Sequence, residues 1–162
     1  EPYSIAMLAI DDPEIDAERV EILGTDINEA VLESARRGEY KTSPTTDIEE
    51  ELAPLDEYDP YIERDGDHFC VRNSVKDHVE FEQHDLIRGP AKQDWDLVSC
   101  RNLLIYIDEE MKPPIFQTVT NSLRENGYLV IGMTETLARD FRTVFDPVNK
   151  RHRIYQKSAT GD

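Results

Sequence analysis

Hydrophobic positions fall along this chain in blocks that alternate between the helical and the extended period. Residues 3–10 (YSIAMLAI) are apolar on most sides and follow Pro2, a residue suited to a helix's first turn, so they predict a buried helix. Residues 20–26 (VEILGTD) predict a strand. Asn28 then caps a helix running to about Arg37, with Ile27, Val31 and Ala35 on its buried face and Gly38 as its stop. Asp26 thus falls at the C-terminal end of a strand, at the entry to a helix. Residues 39–78 change character, being rich in Pro, Asp and Glu. They predict a short helix near 46–52 and a hairpin pairing 61–64 with 68–72 across Asp65 and Gly66, together a small inserted subdomain. Alternation resumes with a strand at 78–84 and a continuous apolar, central strand at 96–100 (DLVSC). A helix follows to about Leu123, with Met111, Ile115, Val119 and Leu123 on one stripe. Pro113 and Pro114 kink or restart it, and Asn126 and Gly127 close it. Residues 128–132 predict another buried strand, and 143–145 and 153–156 two more, joined by a turn at 146–150. Alternating β and α elements with a terminal strand pair indicate a doubly wound α/β sheet.

Composition narrows the function classes. The chain has 162 residues, about one domain, with 18 Lys and Arg against 35 Asp and Glu and a net charge of −17. The excess is spread along the chain. Such a polyanion repels phosphate backbones and anionic lipid, which counts against nucleic-acid binding. Arginine outnumbers lysine 12 to 6. An acidic shell poor in lysine is expected of a halophilic protein working in concentrated salt, where counter-ions screen self-repulsion; the alternative is an ordinary acidic cytosolic protein. Two cysteines, Cys70 and Cys100, make no disulfide framework, so a cytoplasmic location is expected. Apolar runs such as 103–107 and 128–131 are far short of a membrane span, and no signal peptide is visible, so direct membrane insertion is not expected. The first residue is Glu rather than Met, which suggests a piece of something longer.

The four histidines (His68, His78, His84, His152) lack metal-ligand spacing, so no metal site is expected. There is no G-x-S-x-G elbow, no P-loop and no glycine-rich fingerprint after a strand, which disfavours hydrolase, kinase and zinc readings. Four features remain. Asp26 stands where a nucleotide-binding sheet puts its ribose-binding carboxylate, or else it shares helix capping with Asn28. Asp85 ends a strand in EFEQHDL, where it could accept from an adenine amino group, or it is a solvated loop aspartate. Cys100–Asn102 follows a strong apolar strand, the place where open α/β sheets bind ligands, or it is structural capping. Residues 1–4 (EPYS) open the first helix, or are simply exposed at a terminus.

Taken in order, EPYSIAMLA, ILGTDIN, EFEQHDL, DLVSCRNLLIYID and NGYLVIGMTE resemble the chemotaxis receptor glutamate methyltransferases of the CheR type, from residue 1 to about residue 156. The resemblance implies a class I S-adenosylmethionine-dependent methyltransferase fold, a Rossmann-like doubly wound sheet with a small inserted β-subdomain. It implies S-adenosyl-L-methionine as cofactor and S-adenosyl-L-homocysteine as product. By residue match, Glu1 belongs to the cofactor pocket and Asp26 holds the ribose hydroxyls. Asp85 and Leu86 match an adenine-side pair that is Asn-Leu in some members. Arg101 and Asn102 match a cofactor-contacting pair, and Tyr106 matches a tyrosine facing the transferred methyl, or else it packs as a core tyrosine.

The same resemblance implies an enzyme that methylates glutamate carboxylates on the cytoplasmic domains of methyl-accepting chemotaxis receptors; a monomer is expected. Alternatives are a non-catalytic scaffold, or the same chemistry on a small carboxylic acid. Residues 1–162 would be a partial catalytic domain, with residues 39–78 as its inserted subdomain. In the family a first β-strand with a Gly-containing turn, and a helical domain basic on one face, precede the Glu-Pro-Tyr-Ser segment; neither stands in these residues. The expectation is a sheet with two exposed strand edges in its middle, in a chain that folds poorly and is weakly active by itself. The inserted segment is acidic and short of Gly, so receptor tethering through it is not assumed.

Overall fold

The computed structural model describes residues 1–55 and 57–159, so the last three residues of the expected domain, 160–162, lie outside the described residues. The chain divides into two compact units, Glu1–His84 and Asp85–Asp162.

In the first unit, helix α1 (Pro2–Asp11) has Pro2 in its first turn and buries Tyr3, Ala6, Met7 and Ala9. It is not apolar on all sides in use: Leu8 is exposed. Strand β1 (Ile22–Asp26) leads to helix α2 (Glu29–Arg37). The Asn28 side chain accepts from the Ala30 amide, and Gly38 ends the helix at φ 64°, the left-handed conformation that glycine adopts without a Cβ penalty. The buried face of α2 differs from the expected stripe. Leu32 is its buried residue, whereas Val31 is exposed and Ile27, outside the helix, is 62% exposed. Periodicity counted from Ile27 started one residue before the cap and so chose the wrong side.

Strand β2 (Glu39–Lys41), helix α3 (Ile48–Glu51), the hairpin of β3 (Ile62–Asp65) and β4 (His68–Val71), and helix α4 (Asn73–Lys76) come next. These strands form an antiparallel sheet in the order β2-β4-β3. Asp65 pairs with His68, so the hairpin loop is Gly66 and Asp67 rather than Asp65 and Gly66; Gly66 supplies the positive φ of 62° that the turn needs. Leu52, Leu55, Ile62, Phe69, Val71 and Val75 share one core with Tyr3, Ala6 and Met7 of α1. Strand β5 (Val79–Gln83) pairs parallel with β1, from Ile22 opposite Val79 to Asp26 opposite Gln83. Gly24 makes room for this packing: a Cβ there would stand 2.7 Å from the Phe81 ring and 3.1 Å from Pro2.

The second unit is a four-stranded sheet in the order β6-β7-β9-β8. Its strands are β6 (Trp95–Cys100), β7 (Leu123–Ile131), β8 (Phe145–Asn149) and β9 (Ile154–Lys157); β6 and β7 are parallel, and the other pairs antiparallel. Helix α5 (Lys112–Ser122) covers it with Ile115, Phe116 and Val119 buried. Pro113 and Pro114 lie in the first turn of α5, which starts afresh after the 3-10 turn Glu109–Met111, and the N–H groups they lack have no helical partner there. Met111 is exposed, and the residues before α5 form short 3-10 turns at Leu104–Tyr106 and Glu109–Met111. The helix stops at Ser122, before Asn126 and Gly127; Lys157 Nζ donates to the Thr120 and Leu123 carbonyls at 2.8 and 2.7 Å and caps that end. Strand β8 continues through Pro147 to Asn149, a place open to proline because β8 is the outer strand of the sheet. The expected central strand, β6, stands at the other end of this sheet, bonded to β7. Among the described strands, β1 bonds only β5 and β6 only β7, so each leaves one edge without a strand partner.

Candidate functional site

Polar residues gather past the C-terminal ends of parallel strands in both units. Asp26 closes β1. Its neighbouring backbone is held from β5: the His84 amide donates to the Asp26 carbonyl at 2.9 Å, and Gln83 Nε2 donates to the Ile27 carbonyl at 2.8 Å. Asp26 Oδ1 accepts the Asn28 amide at 2.7 Å, so the helix-entry role weighed from the sequence is real. It does not exhaust the carboxylate. A carboxylate has about four lone-pair sites, and this amide occupies one of them. Oδ2 has no hydrogen-bond partner among the described residues. The half-buried Asp26 therefore keeps acceptors for a pair of hydroxyl donors. Glu1 stands at the head of α1, exposed, with its carbonyl accepting the Ile5 amide at 3.1 Å. Its neighbour Pro2 meets Gly24 of β1, two residues before Asp26. Glu1 and Asp26 thus belong to one packed unit.

The second unit holds Asp85, Leu86, Arg101, Asn102 and Tyr106. Asp85 Oδ1 accepts the Ile87 and Arg88 amides at 2.8 and 3.1 Å, and its carbonyl accepts the Gly89 amide at 2.7 Å, which makes it the organiser of a turn rather than a free loop carboxylate. Leu86 is half-buried against the core that contains Cys100 and Leu104. Arg101 and Asn102 follow β6 directly and are both exposed. Asn102 has φ 57°, a conformation that Asn tolerates better than most residues. Tyr106 is 81% exposed in a 3-10 turn, and its hydroxyl has no partner among the described residues. The core-tyrosine alternative is therefore overturned.

Sequence reasoning passed over one residue here. Glu135, 3% exposed, lies after β7 and accepts the amides of Asn102, Leu104, Ile105 and Gly132. Its signal was a single acid inside the otherwise apolar and small run 128–137 (YLVIGMTETL).

Parallel strands joined through helices, with carboxylate and amide side chains past the strand ends, are the arrangement of Rossmann-like ligand-binding α/β folds, and the match of residues 1–154 to a methyltransferase family makes this a class I S-adenosylmethionine-dependent methyltransferase fold. A crystal structure from Bordetella parapertussis, described as a possible exported protein, is similar over 98% of this chain and 59% of its own, with a TM-score of 0.56; at 14% identity that likeness concerns the fold alone. Residues 1–154 match the family model for the CheR methyltransferase, SAM binding domain, and the chain belongs to that family. The cofactor of the domain is S-adenosylmethionine. A chemotaxis protein methyltransferase of Listeria monocytogenes is 33% identical over 137 residues, which cover 85% of this chain and 50% of the relative. Chemotaxis protein methyltransferase 1 of Pseudomonas aeruginosa is 33% identical over 144 residues, 85% of this chain and 51% of the relative. The chain spans about half the length of these relatives.

Proposed function

We propose that this chain is the cofactor-binding part of an enzyme that transfers a methyl group from S-adenosylmethionine to glutamate carboxylates of chemotaxis receptors. The match of residues 1–154 to the family's cofactor-binding domain carries this reading. The unspent Asp26 oxygen at the end of β1 fits the cofactor's ribose. No helix among the described residues is long and apolar enough to cross a membrane, and we place the enzyme in the cytoplasm, acting as a monomer on the receptors' cytoplasmic domains.

S-adenosylmethionine, when bound, would supply a methyl group on a sulfonium whose leaving group is the neutral thioether. A glutamate carboxyl, with an ordinary pKa near about 4.3, is already ionised at neutral pH, so the protein need not supply a base. Its task is alignment and exclusion of water. Asp26 accepts from the ribose hydroxyls, while Asp85 and Leu86 flank the adenine with an acceptor and an apolar face. Glu1, Arg101 and Asn102 hold the remainder of the cofactor. Tyr106, exposed and with its hydroxyl uncommitted, orients the incoming carboxylate or the methyl donor.

Calorimetric titration of S-adenosylhomocysteine, paired with radiolabelled methyl transfer to receptor cytoplasmic domains, tests this. Asp26→Ala should weaken binding by about tenfold or more, the loss of a charge-assisted hydrogen bond. Tyr106→Phe should leave binding nearly intact and slow transfer. Absence of saturable binding to the full protein carrying this chain would sink the reading. Full turnover by Tyr106→Phe would remove the tyrosine's role.

A further inference from the structure

We propose that Glu135 is a positioning residue for the cofactor, its buried carboxylate setting the shape of the loop that carries Arg101, Asn102 and Tyr106. The inference rests on the functional reading above and adds to it a residue with no side-chain contact of its own to the ligand.

Both carboxylate oxygens are committed. Oε2 accepts the Gly132 amide at 2.6 Å and the Asn102 amide at 3.0 Å. Oε1 accepts the Leu104 amide at 2.7 Å and the Ile105 amide at 3.3 Å. No cation pairs with Glu135 among the described residues. A carboxylate is rarely buried without a counter-charge, because loss of hydration is costly unless strong donors replace it. Here the replacement is wholly backbone N–H, and three of the four groups belong to residues 102, 104 and 105. The turn at Leu104–Tyr106 has no capping side chain from its own preceding residue. Its leading N–H groups would be left without partners, and Glu135, about thirty residues away in the chain, supplies the cap. The same carboxylate ties down Asn102 at its left-handed φ of 57°.

Gly132 belongs to this arrangement. A Cβ there would stand 2.7 Å from both Asn102 Oδ1 and Glu135 Oε2. A residue present only to fill this space would be apolar, since a well-packed apolar group commonly replaces a buried ion at no loss of stability. A carboxylate is the side chain that gathers four donors onto two atoms. It thereby links the loops that follow the adjacent parallel strands β6 and β7.

The test uses the full protein carrying this chain and S-adenosylhomocysteine as the probe. Glu135→Gln keeps the size but turns one oxygen into an NH2 facing two backbone donors. Its affinity should fall about tenfold or more, at a temperature where circular dichroism shows it folded. Without cofactor, amide exchange at Asn102, Leu104 and Ile105 should speed up in the same variant. Should Glu135→Gln fail to fold, Gly132→Ala displaces the same carboxylate without removing it, and the same two readouts apply. Combined with Asn102→Ala, Glu135→Gln should cost less than it does alone, because part of its effect runs through Asn102. Affinity within about twofold of the unmodified protein, or losses that multiply independently, would overturn the proposal. Failure of the unmodified protein to bind the probe would instead overturn the functional reading, and this inference with it.

Discussion

Tyr3 is almost fully buried, with its hydroxyl donating to the Ala35 carbonyl at 2.9 Å and its ring edge-on to Phe81 at 5.6 Å between centroids. Burial raises its phenol above the ordinary 10.0, with Tyr40 and Cys70 as lesser causes. A pKa raised on folding means that the folded chain holds this proton more tightly than the unfolded one. The associated stability is complete below pH 10 and is lost as pH rises through the folded value. Tyr3→Phe should therefore cost about 1 kcal/mol at pH 8, the worth of the hydrogen bond, and a smaller amount at pH 10.5, as read by urea unfolding. An equal cost at both pH values would show that Tyr3 does not titrate with folding. Burial also raises Tyr40 and Tyr61, so part of the alkaline decline persists in the variant. At this scale the candidate site was unevenly legible. Asp26 could be found because its place depends on neighbours in sequence, a strand before it and a capped helix after it. Glu135 could not, since three of its four donors come from about thirty residues upstream. The exposure of Tyr106 was hidden as well, because Leu103–Ile107 reads as apolar and gives no sign that a 3-10 turn presents one residue to solvent.

Most elements follow from local chemistry, and α2 does so most fully. Asp26 and Asn28 form consecutive side-chain turns, with Asn28 Oδ1 taking the Ala30 amide at 2.9 Å, and basic Arg36 and Arg37 stand in the last turn, where they suit the helix dipole. Asn28→Ala should lower stability by about 1 kcal/mol, seen as a lower thermal midpoint. An unchanged midpoint would mean that packing of Leu32, rather than the cap, decides where α2 begins. Which face an element buries was harder to read than where it starts. For α2 the answer depends on the registration of Leu32 against its unit, and Arg36 adds a tertiary tie by donating to the Phe81 carbonyl at 2.9 Å. For α5 the expected stripe is buried at Ile115, Val119 and Leu123, yet it fails at Met111, which precedes the helix proper. The β6 strand shows the same limit. Its apolar run implies cover on both sides, but the partner at a sheet edge is not written in the strand itself.

Across the whole molecule the dominant quantity is charge. Ion pairs among the described residues, such as Arg64 with Glu49 and Lys41 with Asp67, are exposed, where a pair contributes little against a net −17. Self-repulsion should therefore outweigh attraction in dilute buffer. Raising KCl from 0.1 to 1 M shortens the screening length from about 10 to about 3 Å. The thermal midpoint should then rise by about 2–4 °C or more, the equivalent of at least about 1 kcal/mol. A flat or falling midpoint would mean that the ion pairs matter more than the net charge, and would remove the physical ground for a saline habitat. The core shared by α1 and the segment from β2 to α4 has a consequence for how freely the protein can be rebuilt. Lengthening a connection costs little entropy, about 0.6 kcal/mol per doubling, so the crossover from β1 to β5 can carry a large insertion cheaply. Cutting it out is a different matter. Leu52, Leu55, Ile62, Phe69, Val71 and Val75 share the core of α1, and excision would expose part of Tyr3, Ala6 and Met7 to water. In modular terms the segment is easy to acquire and hard to lose: a graft that has become part of its host's interior.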